Sequence, residues 1–245
     1  MLKKIALIVI VLLFSISSFA ASSLFFLKKK RLAIVIDDMG YDVNLARGFE
    51  RLNLPLAFSF LPDAPYSTAL SSEFAKNGFV VMIHMPSQPM SYPKENPGKD
   101  AIYTWTTRSQ TFYLLNRAKK RIPDAVGLNN HMGSKILKDR RHLDYIMDFL
   151  KENKMFFIDS ATIVGSLGCI EADRFGVPCQ RRRVFLDDIK QVGYIKKEIE
   201  RAIKLLDKYN NVVAIGHCNV KTLEALNEMK PQLKKYLVNV LFVLQ

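Results

Sequence analysis

Leu32-Ala33-Ile34-Val35-Ile36-Asp37-Asp38-Met39-Gly40 is the stretch that decides the fold. Its first five residues are apolar without alternation, the pattern of a strand covered on both faces. Polar residues arrive only at its C-terminal end, as two adjacent aspartates. A helical pattern over Val43–Leu52 follows, and then a second strand, Leu56–Phe60. Such a strand–helix–strand unit specifies parallel pairing, because the helix carries the chain back along the sheet.

The unit recurs outward along the chain. A helix over Tyr66–Lys76 leads to a strand at Phe79–Ile83, and a long polar stretch, His84–Arg108, precedes a helix at Ser109–Arg121. A strand at Ala125–Leu128 follows. The helix over Arg140–Lys151 places Leu143, Ile146, Met147 and Leu150 on one face at helical spacing. Met155–Ile158 reads as a strand, Ser166–Phe175 as a helix and Val177–Phe185 as the stretch holding the sixth strand. Ile195, Ile199, Ala202, Ile203 and Leu206 mark a long helix. Val212–Ile215 is a strand, Leu223–Leu233 a helix and Leu237–Phe242 a final strand. Seven or eight βα units predict one α/β domain, its parallel sheet closed or nearly closed into a barrel. An open doubly wound sheet is the alternative, but no G-x-G-x-x-G follows the first strand.

The chain has 245 residues and a formal charge of +13, a balance that invites a nucleic-acid reading. The N-terminus answers part of that. Lys3 and Lys4 precede an unbroken apolar run, Ile5–Phe14, and Ser18-Phe19-Ala20 offers a small-x-small cleavage site, so residues 1–30 read as a signal peptide. The uncharged stretch continues to Leu27, long enough to span a bilayer core of about 30 Å, so a retained membrane anchor reads equally well. Either way residues 31–245 form a single exported domain. Six of the 36 basic residues lie within residues 1–31. The only dense basic run beyond them, Arg181-Arg182-Arg183, has no interleaved aromatics, which argues against nucleic acid. It reads as a solvated strand edge, or as one arginine facing a site with two facing solvent.

Cys169, Cys179 and Cys218 leave at least one thiol unpaired in an oxidising compartment. Cys169 and Cys179 are close enough in sequence to bridge, although ordinary buried thiols are the favoured reading. No C-x-x-C occurs, which excludes a cysteine zinc site of the usual spacing.

A βα barrel gathers its chemistry at the C-terminal ends of its strands. Here those ends carry Asp37-Asp38, His84, Asn129-Asn130-His131, Asp159-Ser160, Asp187-Asp188 and Gly216-His217. Three of the four histidines are among them; the fourth, His142, reads as a surface residue of a helix. Asp187 and Asp188 read equally as helix caps. Asp38, His84 and His131 supply one carboxylate and two imidazoles, a set suited to one divalent ion, Zn²⁺ first, with positions left open. Asp37 is then free to act as a base and His217 as an acid.

These residues carry a resemblance. Ile34-Val35-Ile36-Asp37-Asp38-Met39-Gly40 is similar to the T-F-D-D-G motif of the polysaccharide deacetylase superfamily. VMIHMPSQP, GLNNHMGS, FFIDSAT, GVPCQRRRVFLDD and AIGHCNVKTLEAL resemble, in that order, its divergent polysaccharide deacetylase branch of exported bacterial proteins. The resemblance covers roughly residues 31–235. It implies a distorted (β/α) barrel and metal-dependent removal of N- or O-acetyl groups from an acetylated glycan or peptidoglycan-type polymer. Asp37 becomes the base and Asp38 a metal ligand. The H-x-x-x-H motif places its first histidine at His84 but has Gln88 second, with His131 offered as the replacement ligand. The L-x-H motif matches Ile215-Gly216-His217, whose histidine is the acid. No R-x-P-Y segment is recognisable. Gln88 and Asn130 are further candidates to line the site, and Asp159 and Arg183 to orient His217 or Asp37. Tyr92, Tyr103 and Trp105 read either as a stacking wall for sugar rings or as a lid packed onto the barrel rim. The rival to an enzyme is a barrel that binds envelope glycan without turning it over.

Overall fold

The computed structural model describes residues 29–244; the export segment read over residues 1–30 lies outside them, apart from its last two residues. Seven strands alternate with helices: β1 (Arg31–Met39), α1 (Val43–Glu50), β2 (Ala57–Phe60), α2 (Ser67–Lys76), β3 (Val80–Ser87), α3 (Arg108–Arg121) and β4 (Gly127–Met132). Then come α4 (Arg140–Glu152), β5 (Phe156–Asp159), α5 (Gly168–Phe175), β6 (Cys179–Phe185), α6 (Val192–Tyr209), β7 (Asn211–His217), α7 (Val220–Glu228) and α8 (Lys230–Leu233). Every strand pairs in parallel with the next, and β7 closes on β1 through a register running from Arg31↔Asn211 to Asp37↔His217. The result is a closed seven-stranded (β/α) barrel. Among the described residues, no helix is long and apolar enough to cross a membrane.

The period of two along each strand sorts buried side chains into two layers. Leu32, Ile34, Ile36, Phe58, Val81, Ile83, Leu128, Phe157 and Ala214 face outward into a core shared with the helices. Ala33, Val35, Ala57, Met82, Ile158, Val213 and Ile215 face inward and fill the barrel. Continuing the inward rows one step toward the strand ends gives Asp37, Ser59, His84, Ser160 and His217. The barrel is therefore apolar through its middle, with its polar cluster at one mouth; at the other end the buried Gln180 donates to the Val243 carbonyl.

Three expectations need correction. Leu237–Phe242 is not an eighth strand: Leu237 makes a single bridge to Leu32, and Val240–Val243 form a 3₁₀ turn. With β7 already paired to β1 no edge remains to extend, so Val240 and Val243 plug the bottom of the barrel instead. His142 is fully buried, not on the surface; it sits in the first turn of α4, where its Nε2 donates to the Thr106 carbonyl at 2.9 Å. Cys169 and Cys179 are disulfide-bonded, with Cα atoms 5.5 Å apart. The first turn of α5 lies against the start of β6, which brings the two together. The boundaries also move: β3 runs on to Ser87, so the polar connection begins at Gln88, and the expected helix Leu223–Leu233 divides into α7 and α8, with Pro231 in the first turn of α8.

Candidate metal centre and active site

Adjacent residues on a strand point to opposite faces, so Asp37 and Asp38 cannot both enter one mouth from a regular strand. The backbone resolves this. The β1–β2 register shifts between Ile36 and Met39, and Asp38 adopts φ 53°, a left-handed conformation that Asp tolerates better than most residues. This bulge turns Asp38 back toward the barrel axis beside Asp37. Gly40 follows at φ 115°, where any Cβ would collide with Ser67 Oγ. The sequence D-D-M-G thus builds a specific corner.

Asp38 Oδ1 lies 3.3 Å from His84 Nε2 and 3.0 Å from His131 Nδ1, and the two ring nitrogens lie 3.2 Å apart. The three ligand atoms form a nearly equilateral triangle. Asp38 Oδ1 is buried yet receives no well-directed hydrogen bond. An oxygen orphaned between two ring nitrogens is what a cation would satisfy. Edges near 3 Å also match ligands about 2.0–2.2 Å from a common ion. These residues fit a divalent ion.

The tautomer of His84 is set from behind. Its Nδ1 lies 2.8 Å from Asn129 Oδ1, an oxygen that also accepts from Ser59 Oγ at 2.5 Å. His84 Nδ1 is therefore the protonated nitrogen, leaving the Nε2 lone pair aimed at the triangle. Asn129 Nδ2 donates onward to Ser160 Oγ at 3.2 Å. Asn130 lines the site and is locked there: its Oδ1 accepts from Ser160 N and its Nδ2 donates to the Met132 carbonyl.

Asp37 is 3% exposed, and burial pushes its carboxyl above the usual carboxylate range. Its Oδ1 has no hydrogen-bond partner and lies 3.8 Å from His217 Nε2. Asp38 is also pushed up by burial, but His131 and His84 outweigh that and hold it below the usual range. For His84, burial opposes the charge, while Asp37 and Asp38 together raise its pKa. His217 is likewise disfavoured as a cation by burial, yet the hydrogen bond to Asp187 and the neighbouring aspartates raise it to about 9.

Asp187 is the residue that orients His217. Its Oδ1 lies 3.0 Å from His217 Nδ1, and its Oδ2 accepts from His217 N, Asn219 Nδ2 and Thr222 Oγ1 at 2.7–2.8 Å. These bonds, with His217 itself, hold its carboxyl low against the upward push of burial. Asp187 does not cap the helix that follows β6: the N-cap of α6 is Gln191.

Two of the expected orienting residues lie elsewhere. Asp159 faces outward on β5 and binds Ser166 Oγ, Ala161 N and Arg181 Nε. Arg183 faces outward on β6, with its guanidinium over the Tyr209 ring at 3.5 Å. Arg182, one step along β6, is the arginine that lines the site; it donates to the Ser160 and Ala161 carbonyls and stacks on Phe185. Gln88 is buried but turns away, accepting from Thr104 N and Oγ1. Asp187, Asn129 and Arg182 were thus missed as site residues. The inward period of two would have found Asn129, which shares a face with His131. The mouth encloses a cavity of about 520 Å³ between Asp37, Asp38, His84, His131, Arg182 and His217.

Comparison with known proteins places this geometry in a lineage. Residues 34–244 match the divergent polysaccharide deacetylase family. An uncharacterized protein of Haemophilus influenzae is 34% identical over 196 residues, 80% of this chain and 69% of its own length. Another, from Escherichia coli K12, is 31% identical over 199 residues, 81% of this chain and 62% of its own. An uncharacterized protein from Agrobacterium tumefaciens C58 superposes with a TM-score of 0.79 at 18% identity, covering 85% of this chain and 86% of that one. The catalytic domain of a peptidoglycan N-acetylglucosamine deacetylase from Eubacterium rectale superposes with a TM-score of 0.57 at 14% identity, covering 86% and 88%. At those identities the structural likeness speaks for the fold alone.

Proposed function

From the premise that this chain belongs to the divergent polysaccharide deacetylase family, we propose that it is an exported hydrolase that removes acetyl groups from an envelope polysaccharide, using one divalent ion, Zn²⁺ first, held by Asp38, His84 and His131. The observation that carries this reading is the ligand triangle with Asp37 on one side and His217 on the other. Bound there, such an ion supplies Lewis acidity, activating a water and polarising an acyl carbonyl.

The chain's own groups supply the proton transfers. Asp37, buried and with Oδ1 unpartnered, accepts the proton of the attacking water. His217, raised to about 9, is protonated at neutral pH. Its Nδ1 is tied to Asp187, so its Nε2 faces the mouth and donates a proton to the leaving amine or alkoxide. Asn129 fixes His84, and Arg182 closes one wall with its charge near Asp37 and Asp188. Peptidoglycan-type glycan is the favoured substrate, in keeping with what the E. rectale protein acts on.

Export is part of the proposal. The Cys169–Cys179 bridge suits an oxidising compartment, and residues 1–30 would provide a cleaved signal or a membrane anchor. The direct test is acetate release from acetylated glycans with and without added Zn²⁺. Release that depends on the ion and vanishes in Asp37→Ala supports the enzyme; glycan binding without release selects the non-catalytic barrel.

A further inference from the structure

We propose that the connection between β3 and α3 presents a second binding point for the glycan: Trp105, backed on one face by the Tyr103 ring, offers its other face as a stacking platform for a pyranose chain, away from the acetyl group being removed. The inference rests on the reading above that the substrate is an acetylated glycan, and it adds that the substrate is an extended polymer rather than a short sugar.

The platform is built, not left over. The Tyr103 and Trp105 rings stack at 4.5 Å with planes 13° apart. Tyr92 packs against both, at 5.2 and 5.7 Å. Trp105, the only tryptophan of the chain, is nevertheless 59% exposed. The Trp105 ring is therefore not sunk into the rim as a packed lid would be, while Tyr92 and Tyr103 lie half-buried behind it. Three polar side chains hold the two residues that flank it. Arg141 Nη2 donates to the Thr104 carbonyl at 3.0 Å, and His142 Nε2 donates to the Thr106 carbonyl at 2.9 Å. Gln88 Oε1 accepts from Thr104 N and Oγ1 at 2.9 and 3.0 Å. His142 and Gln88 are both buried, so two interior polar groups are committed to fixing the main chain beneath one exposed aromatic. Backbone bonds between Gln88 and Ile102, and between Ile102 and Pro86, pin the base of the loop.

A fixed, flat aromatic face suits the C–H face of a pyranose, whose polarised hydrogens meet the negative face of the ring. Preorganisation removes the ordering cost that a loose loop would incur on binding. Gln88, which holds Thr104, follows His84 by four residues, about 13 Å at the usual strand rise, a span of more than one sugar ring, as reach by one extended chain requires.

Because Trp105 is the only tryptophan, its emission reports this location alone. The full chain carrying Asp37→Asn is titrated with the hexamer and the monomer of N-acetylglucosamine, and with single-stranded DNA as a stacking control. The expected result is a saturable emission change with the hexamer and none with the monomer or DNA. By calorimetry, Trp105→Ala should bind the hexamer on the order of tenfold more weakly. Acetate release from the hexamer by the unsubstituted chain is measured in parallel. Release without an emission change overturns the platform and leaves the enzyme standing; an emission change without release does the reverse. An equal response to DNA, or to monomer and hexamer alike, also overturns the platform.

Discussion

Asp38 combines a place in the proposed ligand triangle with a left-handed backbone, and the two can be separated by substitution. Asn keeps the tolerance for φ 53° but lacks the charge. Asp38→Asn should therefore fold with nearly unchanged stability and lose divalent-ion binding, whereas Asp38→Val should also lose about 1–2 kcal/mol to backbone strain. Metal analysis beside denaturant unfolding checks both. Asn129, which no motif marks, fixes His84 from behind; Asn129→Ala should weaken ion binding roughly 10–100-fold, measured by competition with a chelating dye. His217 gives a pH signature in the metal-free chain. Its folded pKa of about 9 lies above the 6.5 of a free imidazole, so the protonated ring adds stability that is fully present below about 6.5 and lost as pH rises through about 9. The denaturant midpoint should fall across that window, and the fall should shrink in His217→Gln. A slope unchanged by the substitution would remove the Asp187–His217 pair from the account.

At the level of elements, the strand ends explain which residues could be read in advance. Asp37, Asp38, His84, His131 and His217 were legible because polar residues closing apolar strands stand out; the inward rows of β1, β3, β4 and β7 end in Asp37, His84, His131 and His217, and Asp38 joins them through the bulge. Arg182 and Arg183 were not distinguishable by composition; only the register of β6 says which one turns inward. Asp187 was ambiguous for a physical reason, since an aspartate after a strand is also a good helix cap; here α6, the helix that follows, has Gln191 at its N-cap, and Asp187 is spent on His217. The disulfide could not be read from spacing, because pairing depends on how α5 returns to β6. Closing so short a loop restricts the unfolded chain, and removal of the bridge should cost roughly 2–3 kcal/mol. Thermal melts of the double variant Cys169→Ser, Cys179→Ser against the unsubstituted chain should show a lower Tm, with the remaining thiol at Cys218 silent because burial pushes it up to about 12.

For the whole barrel, closure decides the architecture. Seven strands suffice once β7 pairs with β1 along seven residues, and the C-terminal segment that resembles a strand becomes the stopper beneath an apolar interior. This leaves one mouth into which the carboxylate–imidazole triangle, Asp37 and His217 all project. The account stands on that triangle holding an ion. The most direct measurement is equilibrium dialysis of the metal-free full chain against Zn²⁺ followed by metal analysis, with His131→Ala in parallel. The account predicts one ion per unsubstituted chain and, in His131→Ala, binding weakened by at least about tenfold, as expected when one of three ligands is lost. No stoichiometric ion in the unsubstituted chain, or binding indifferent to His131, would contradict it.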